Sequence, residues 1–281
     1  MSLLNRRDGE RIENLDGWVL SCLLSWKRSL RGGHKELLYS LYDHKDWHDE
    51  DPMHLLTAPR YSSPTACPYL EGQEFIQEYF FARDLSLEDM GVLIQAGWRR
   101  FGNFFFQPRC SQCQACIPVR VDVSALKHSK RVKRLLRKGA HITMEMHSPR
   151  CTDEVWNVYA AHSKFRFGKE PLREDFEQSF FSHEAPSLQS EYRVHGTLLG
   201  IGFLDLVPDG ASSAYFAYNQ EGSHYSLGSL SVYRECEAIK EAGGHWYYLG
   251  YKVMGCSAME YKGRFLPQQE MDWNSGTWSF P

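Results

Sequence analysis

Between Ser213 and Phe265 the apolar positions change period repeatedly. Ser213–Tyr218 (SAYFAY) is an aromatic run bounded by the turn formers Asn219, Gln220 and Gly222, and it predicts a strand. Leu230, Tyr233, Ile239 and Ala242 then recur at helical spacing, and Gly243-Gly244 stops that helix. His245 to Tyr251 predicts a second aromatic strand, interrupted near its end by Gly250. Ala258 to Phe265 predicts a shorter helix limited by Pro267. Upstream, Glu154–Phe165 and Arg173–Phe181 predict helices, and strands are expected at Ser190–Val194 and Leu198–Val207. Asp209-Gly210 turns the chain into Ser213–Tyr218. Earlier still, Glu74–Asp84 and Trp98–Phe106 predict strands, Leu87–Ala96 a helix ending at Gly97, and Ala125–Gly139 a helix. In residues 1–52, Val19, Cys22, Leu23, Trp26 and Leu30 share one face of a short amphipathic pattern.

A strand, a Gly turn, a helix and a strand in that order resemble the unit at the heart of acyltransferases with the acetyltransferase-type fold. The expected fold class is therefore α/β (α+β): an acetyltransferase-like, GNAT-type mixed sheet with flanking helices and an N-terminal cysteine-containing region. Three segments follow from the shifts in composition: an extension at 1–52, a first transferase domain at 53–148 and a catalytic domain at 149–281. In that fold the helix aims its first N–H groups at an acyl carrier, commonly coenzyme A on an R/Q-x-x-G-x-G/A loop. Here the loop reads Tyr225-Ser226-Leu227-Gly228-Ser229-Leu230, without the Arg or Gln and with Leu230 at the second small position. The pyrophosphate nest is incomplete, so either the carrier differs or the loop is only a tight turn.

Charge sharpens the choice of carrier. The net charge of −3 confines any nucleic-acid contact to a local patch. On the predicted helix, Lys127, Arg131, Arg134 and Lys138 share a face, Lys130 stands in the same run, and no acidic residue is present to pair with them. A solvated face is the ordinary reading of a charge run. Like charges on one face repel unless an anion neutralises them, however, and a phosphate backbone does so.

The chain has eight cysteines, a charged N-terminus without a signal-peptide core and no run near the roughly 20 apolar residues of a membrane span. Reduced thiols or metal ligands in the cytoplasm are expected. Cys110, Cys113 and Cys116 stand at successive three-residue intervals, and Cys67-Pro68 supplies a fourth thiol. Three close thiolates and a remote Cys-Pro suit an iron–sulfur cluster, whereas structural zinc more often uses two paired knuckles. Both remain open beside a metal-free loop. His44, Asp46, His48 and Asp49 form a polar run that reads as a solvated loop.

Taken together, the CPYLEG at Cys67, the GWRRFGNFFFQPRCSQCQACIPVRVDV from Gly97, the basic helix, the SLGS at Ser226 and the YYLGYKVMGCSAMEYKGRFLP from Tyr247 closely resemble the bacterial aspartate/glutamate leucyltransferases. These are relatives of the arginyl-tRNA–protein transferases, and the resemblance runs from about Leu55 to Gln269. It implies transfer of an amino acid from an aminoacyl-tRNA to the α-amine of proteins beginning with Asp or Glu, marking them for degradation. Leu-tRNA is the favoured donor, with Lys127, Lys130, Arg131, Arg134 and Lys138 as its contacts. Arginyl transfer is the alternative, then a coenzyme A-dependent N-acyltransferase. A non-catalytic zinc-ribbon RNA-binding protein is a third.

The ester is already activated, so no nucleotide cofactor is required, and the amine's pKa of about 7.7–8.0 leaves part of it neutral at pH 7. The enzyme has to hold amine and ester together and stabilise an oxyanion. Gly228 and Ser229 offer N–H groups for that. Tyr218, Tyr248 and Tyr251 are candidates for stacking on the terminal adenine or passing a proton to the departing ribose hydroxyl, and Asp205 for accepting the amine's proton. For an acidic acceptor side chain the natural partner is a guanidinium. Arg99, Arg100, Arg120, Lys262 and Arg264 are the candidates, with Ser226 on the substrate side. Near the central loop the acids are Glu221, Glu235 and Glu260, and solvated positions are expected for the last two.

Overall fold

The computed structural model describes residues 53–281. The amphipathic pattern around Val19 and the polar run around His44 lie outside the described residues. Four short strands open the chain: β1 (His54–Leu55), β2 (Arg60–Tyr61), β3 (Thr65–Ala66) and β4 (Glu74–Phe75). They lead into β5 (Gln77–Arg83), so the single strand expected over Glu74–Asp84 is broken at Ile76. α1 (Leu87–Gln95) starts on a capping box in which the Ser86 and Asp89 side chains each accept the other's backbone N–H.

The aromatic run Trp98–Phe106 is a hairpin rather than one strand: β6 (Arg99–Phe101) and β7 (Phe104–Pro108). Gly102 turns it with φ +58, and a Cβ there would stand 2.4 Å from the Gln178 carbonyl oxygen, so only glycine fits. Stacked Phe80 and Phe105 join this small sheet to Met90, Ile94, Val207 and Tyr248.

The larger sheet begins with β8 (Cys116–Asp122). α2 (Lys130–Lys138) follows, capped by the Ser129 side chain. The expected start at Ala125 fails because Asp122 Oδ1 takes the Ser124 and Ala125 N–H groups in a turn. Next come β9 (Thr143–His147), α3 (Asp153–Phe167), α4 (Arg173–Phe180), β10 (Ser187–Val194), β11 (Thr197–Val207) and β12 (Gly210–Tyr218). α5 (Gln220–His224) and α6 (Leu227–Glu241) precede β13 (Trp246–Val253). The helix expected over Ala258–Phe265 is a short α7 (Ser257–Glu260) and a 3-10 turn, Tyr261–Arg264, with β14 (Gln268–Met271) and β15 (Trp278–Ser279) beyond.

The eight strands of this sheet run β15-β14-β8-β13-β12-β11-β10-β9. β12 and β13 are parallel and their neighbours antiparallel. That mixed sheet, with α6 crossing between its parallel pair, is the acetyltransferase-type architecture expected. β8 and β9, from the segment before residue 149, are strands of the same sheet. α6 packs Val232, Tyr233, Cys236 and Ile239 against Val119, Val121 and Tyr247, while α3 and α4 cover the sheet with Val155, Val158 and Phe176. Among the described residues no helix is long and apolar enough to cross a membrane.

Candidate active site

The parallel pair is in register only where Gly210, Ala211 and Ser212 face Trp246, Tyr247 and Tyr248. Beyond that point the strands part. Each is bulged there: Ala214 is skipped in the β11–β12 register and Leu249 in the β8–β13 register. A bulge bends its strand and raises its twist, so two bulges turn the ends away from each other. Gly250, with φ +80, takes a backbone conformation that other residues rarely adopt.

The N-terminus of α6 opens on this splay. Asn219 caps α5 by accepting the Gly222 N–H at 3.0 Å. Ser226 takes φ +54, and its carbonyl receives the N–H groups of Ser229 and Leu230 at 2.8 and 3.0 Å. The Ser229 N–H is therefore spent inside the turn, which leaves Gly228 as the expected donor toward an ester. A Cβ on Gly228 would meet only Tyr218 Cε1, at 3.4 Å, so the Tyr218 ring lies over that backbone. Burial raises the pKa of the Tyr261 phenol, and Tyr218 adds to the rise.

Tyr218 is held by a residue that sequence reasoning missed. His162, buried on α3, has Nδ1 3.2 Å from the Tyr218 nitrogen and 3.0 Å from its carbonyl oxygen, with the rings edge to face at 5.0 Å. Burial pushes the imidazole's pKa down, and the neutral ring accepts the Tyr218 N–H. A lone histidine in a helix carries no signal of this in the sequence.

Several expected site residues are instead spent on one another. Asp205 is buried and takes Arg100 Nε at 2.9 Å and Nη2 at 2.6 Å. Burial raises its pKa, and Arg100 followed by Arg99 opposes the rise. Arg100 also donates to the Gly102 carbonyl, so neither member of the pair is free for substrate. Arg120 sits between the Trp246 and Trp278 rings, 4.0 and 4.6 Å from their centroids, and donates to Tyr248 Oη and Gln269 Oε1. Tyr248 Oη in turn faces Asp209, and Tyr251 Oη donates to the Gly97 carbonyl at 2.6 Å. Arg264 is exposed. Arg100, Arg120, Asp205, Tyr248 and Tyr251 thus frame the site rather than line it.

Arg99 and Lys262 behave differently. Arg99 is 7% exposed, and only its Nη1 is bonded, to the Trp98 carbonyl; Nε and Nη2 are buried without a partner. A Cβ on Gly250 would stand 3.4 Å from both Arg99 Nε and Lys262 Nζ. The two cations therefore flank the Gly250 α-carbon at the splay. Lys262 Nζ makes no ion pair or hydrogen bond among the described residues. Burial pushes its pKa down to about 7, Arg99 pushing the same way and Cys116 opposing.

Glu235, expected in solvent, is 2% exposed. Its carboxylate accepts from Ser190 at 2.8 Å, from Tyr192 at 3.0 Å and from Tyr247. On α2, Lys130, Arg131, Lys133, Arg134, Arg137 and Lys138 are all exposed while Val132 is buried. Lys127 precedes the helix, its N–H bonded to the Leu266 carbonyl. Lys138 Nζ reaches the His224 carbonyl, so the basic helix ends beside the α5–α6 turn.

The four thiols also meet. Cys67, Cys110, Cys113 and Cys116 line one cavity of about 230 Å3. The Leu70, Ile76 and Ala115 N–H groups lie 3.4, 3.5 and 3.5 Å from the sulfurs of Cys67, Cys110 and Cys113. Such donors favour thiolates, the form that binds metal. Burial pushes the Cys116 thiol up to about 12, the neighbouring cysteines adding to it. As the side chains stand, no three described ligating groups converge to hold an ion.

A splayed parallel pair, with a crossover helix opening on it that lacks a coenzyme A phosphate loop and a basic helix ending beside that opening, is the architecture of an acetyltransferase-type transferase. The chain belongs to the arginine-tRNA–protein transferase family. The family's C-terminal description, "Arginine-tRNA-protein transferase, C terminus", matches residues 154–272, and its N-terminal counterpart matches residues 65–134. The aspartate/glutamate leucyltransferase of Helicobacter hepaticus is 31% identical over 214 residues, 74% of this chain and 89% of that protein. That of Ruegeria pomeroyi is 33% identical over 217 residues, 74% of this chain and 80% of that protein. Among solved structures, FemX aligns at TM-score 0.41 with 10% identity, covering 59% of this chain and 60% of that one. The C-terminal domain of a lysylphosphatidylglycerol synthetase from Agrobacterium fabrum aligns at TM-score 0.39 with 17% identity, covering 61% and 53%.

Proposed function

We propose that this protein transfers leucine from Leu-tRNA to the α-amine of proteins beginning with Asp or Glu, an extension that marks them for degradation. The neutral amine attacks the ester carbonyl, an amide forms, the acyl–oxygen bond breaks, and the ribose hydroxyl leaves with a proton while the amine loses one. Gly228 presents its N–H to the developing oxyanion, and Tyr218, held by His162 over that backbone, faces the ribose. α2 carries the donor's phosphates toward the α5–α6 turn.

The observation that supports leucine over arginine is the state of the nearby acids. Glu235 is enclosed and bonded by three hydroxyls, Glu260 accepts the Gly255 N–H at 2.8 Å, and Glu221 is exposed. A guanidinium entering the site meets two cations, with only the solvent-exposed Glu221 free among these acids, and burying it without a carboxylate partner is costly. Coenzyme A is disfavoured because the turn at Ser226 closes on its own N–H groups. The four thiols, on this reading, hold a structural zinc or an iron–sulfur cluster that stabilises the first segment. Incubating the protein with charged Leu-tRNA and peptides beginning Asp, Glu or Ala tests the proposal. Mass spectrometry should find leucine added to the first two alone, and no addition to any of them would refute it.

A further inference from the structure

The two cations at Gly250 are only partly accounted for by the fold: Arg99 keeps the Trp98 carbonyl and lies 5.6 Å from the Tyr251 ring centroid, and Lys262 Nζ has no hydrogen bond or ion pair among the described residues. A buried guanidinium with two unpartnered nitrogens and a half-buried ammonium beside it repel each other and weigh on the fold unless something anionic joins them. The neighbouring acid, Asp205, is already taken by Arg100. Arg99 Nε and Nη2 are the unpartnered atoms, and Lys262 Nζ stands beside the same α-carbon. Glycine at 250 leaves the space that a side chain would fill: a Cβ there sits at ordinary contact distance from both nitrogens, and anything larger would press on them. Gly250 lies on β13 just beyond the last residues paired with β12, at the splay on which the N-terminus of α6 opens. The cationic pocket and the proposed transfer point therefore open on the same splay.

From this geometry we infer that Arg99 and Lys262 bind the side-chain carboxylate of the acceptor's first residue and so set the preference for Asp and Glu. The inference rests on the transfer reading above. A planar guanidinium edge offers two N–H groups to one carboxylate, and a flexible ammonium takes the remaining lone pairs. The same flexibility accommodates the extra methylene of Glu. An amide in place of the carboxylate presents an NH2 group to cations that cannot accept from it, so Asn and Gln acceptors are rejected.

Arg99→Gln, Lys262→Met and Lys262→Arg in the full chain test this, with Leu-tRNA as donor and peptides beginning Asp, Asn and Ala. Arg99→Gln and Lys262→Met should raise KM for the Asp peptide on the order of tenfold to a hundredfold, the range for a charged hydrogen bond. They should collapse the Asp-over-Asn ratio while the Leu-tRNA Kd stays within about twofold of wild type. Lys262→Arg should restore most of the preference. Removing an unpaired, half-buried charge beside Arg99 should also hold or raise Tm for Lys262→Met, whereas loss of a structural contact would lower it. If the Leu-tRNA Kd rises and the Asp-over-Asn ratio survives, the pair holds a phosphate of the donor and the inference is wrong. If the ratio and the Kd are both unchanged, it is also wrong. If wild type modifies no Asp peptide, the transfer reading itself has failed, a separate result.

Discussion

Lys262 makes the pH behaviour of this site specific. The unfolded chain keeps that proton to an ordinary lysine pKa of about 10.4, whereas burial and Arg99 bring the native value to about 7, against the opposing pull of Cys116. Between those values the unfolded state binds more protons, so this group's contribution to stability rises with pH across the window and is lost as pH falls toward 7. Activity follows a different sign. The acceptor amine must be neutral, which gives a rising limb, and Lys262 must be charged to hold the carboxylate, which gives a falling one. A bell-shaped kcat/KM profile with the Asp peptide is expected, and Lys262→Arg should replace the falling limb with a plateau. The buried Glu235 calls for a different measurement. Ser190, Tyr192 and Tyr247 all donate to it, so Glu235→Ala leaves the buried Ser190 and Tyr247 hydroxyls without this acceptor and Tyr192 only the Ser231 carbonyl, and should cost about 3 kcal/mol in urea unfolding. A loss below about 0.5 kcal/mol would mean that the network contributes little to stability. At residue level the sequence offered Arg99 and Lys262 only among five basic candidates and did not show that they meet. Glu235 looks solvated on a helical wheel, and the Arg99–Lys262 pair is made by residues far apart in the chain.

At the scale of elements the sequence was a better guide, and its failures have local causes. Periodicity located α1, α3, α4 and α6 closely because each buries one apolar face. It missed the β6–β7 hairpin because Trp98–Phe106 is aromatic on both sides of Gly102, and the turn is set by the contact with the Gln178 carbonyl. It began α2 too early because Asp122 competes for the first N–H groups. That shift leaves Lys127 off the helix but keeps Arg131, Arg134 and Lys138 on it, exposed. Among the described residues none of these forms an ion pair with an acid, so their repulsion is relieved by salt or by a bound polyanion. Reversing Arg131 and Arg134 to Glu should raise the Leu-tRNA Kd and flatten its dependence on salt. Turnover at saturating Leu-tRNA should hold, because phosphate contacts position without reacting. An unchanged salt slope would assign this face to solvent.

Over the whole molecule, the cysteine segment and the transfer site are parts of one structure. β8 starts at Cys116 and pairs with β13, which carries Gly250. Holding the thiols together therefore steadies a strand of the site. If they bind a metal, anaerobically purified protein should carry close to one zinc or one cluster per chain, and Cys113→Ser should lose it and melt lower. Protein free of zinc, iron and labile sulfide would refute that. The spacing of Cys110, Cys113 and Cys116 made the gathering of these thiols around one cavity legible in sequence, and the turn-and-helix pattern made the acyltransferase sheet legible. The parting of β12 from β13 was not, because it depends on bulges that only pairing reveals. The account's central claim is that leucine, rather than arginine, is carried to an acidic N-terminus. Competition between charged Leu-tRNA and Arg-tRNA at equal concentration, with one Asp-initiated peptide, measures it directly. Leucine should dominate the product, with slight leakage to methionine or phenylalanine when those charged tRNAs are added, since apolar fit discriminates by only about 1–3 kcal/mol per methylene. Faster arginine transfer would contradict the account.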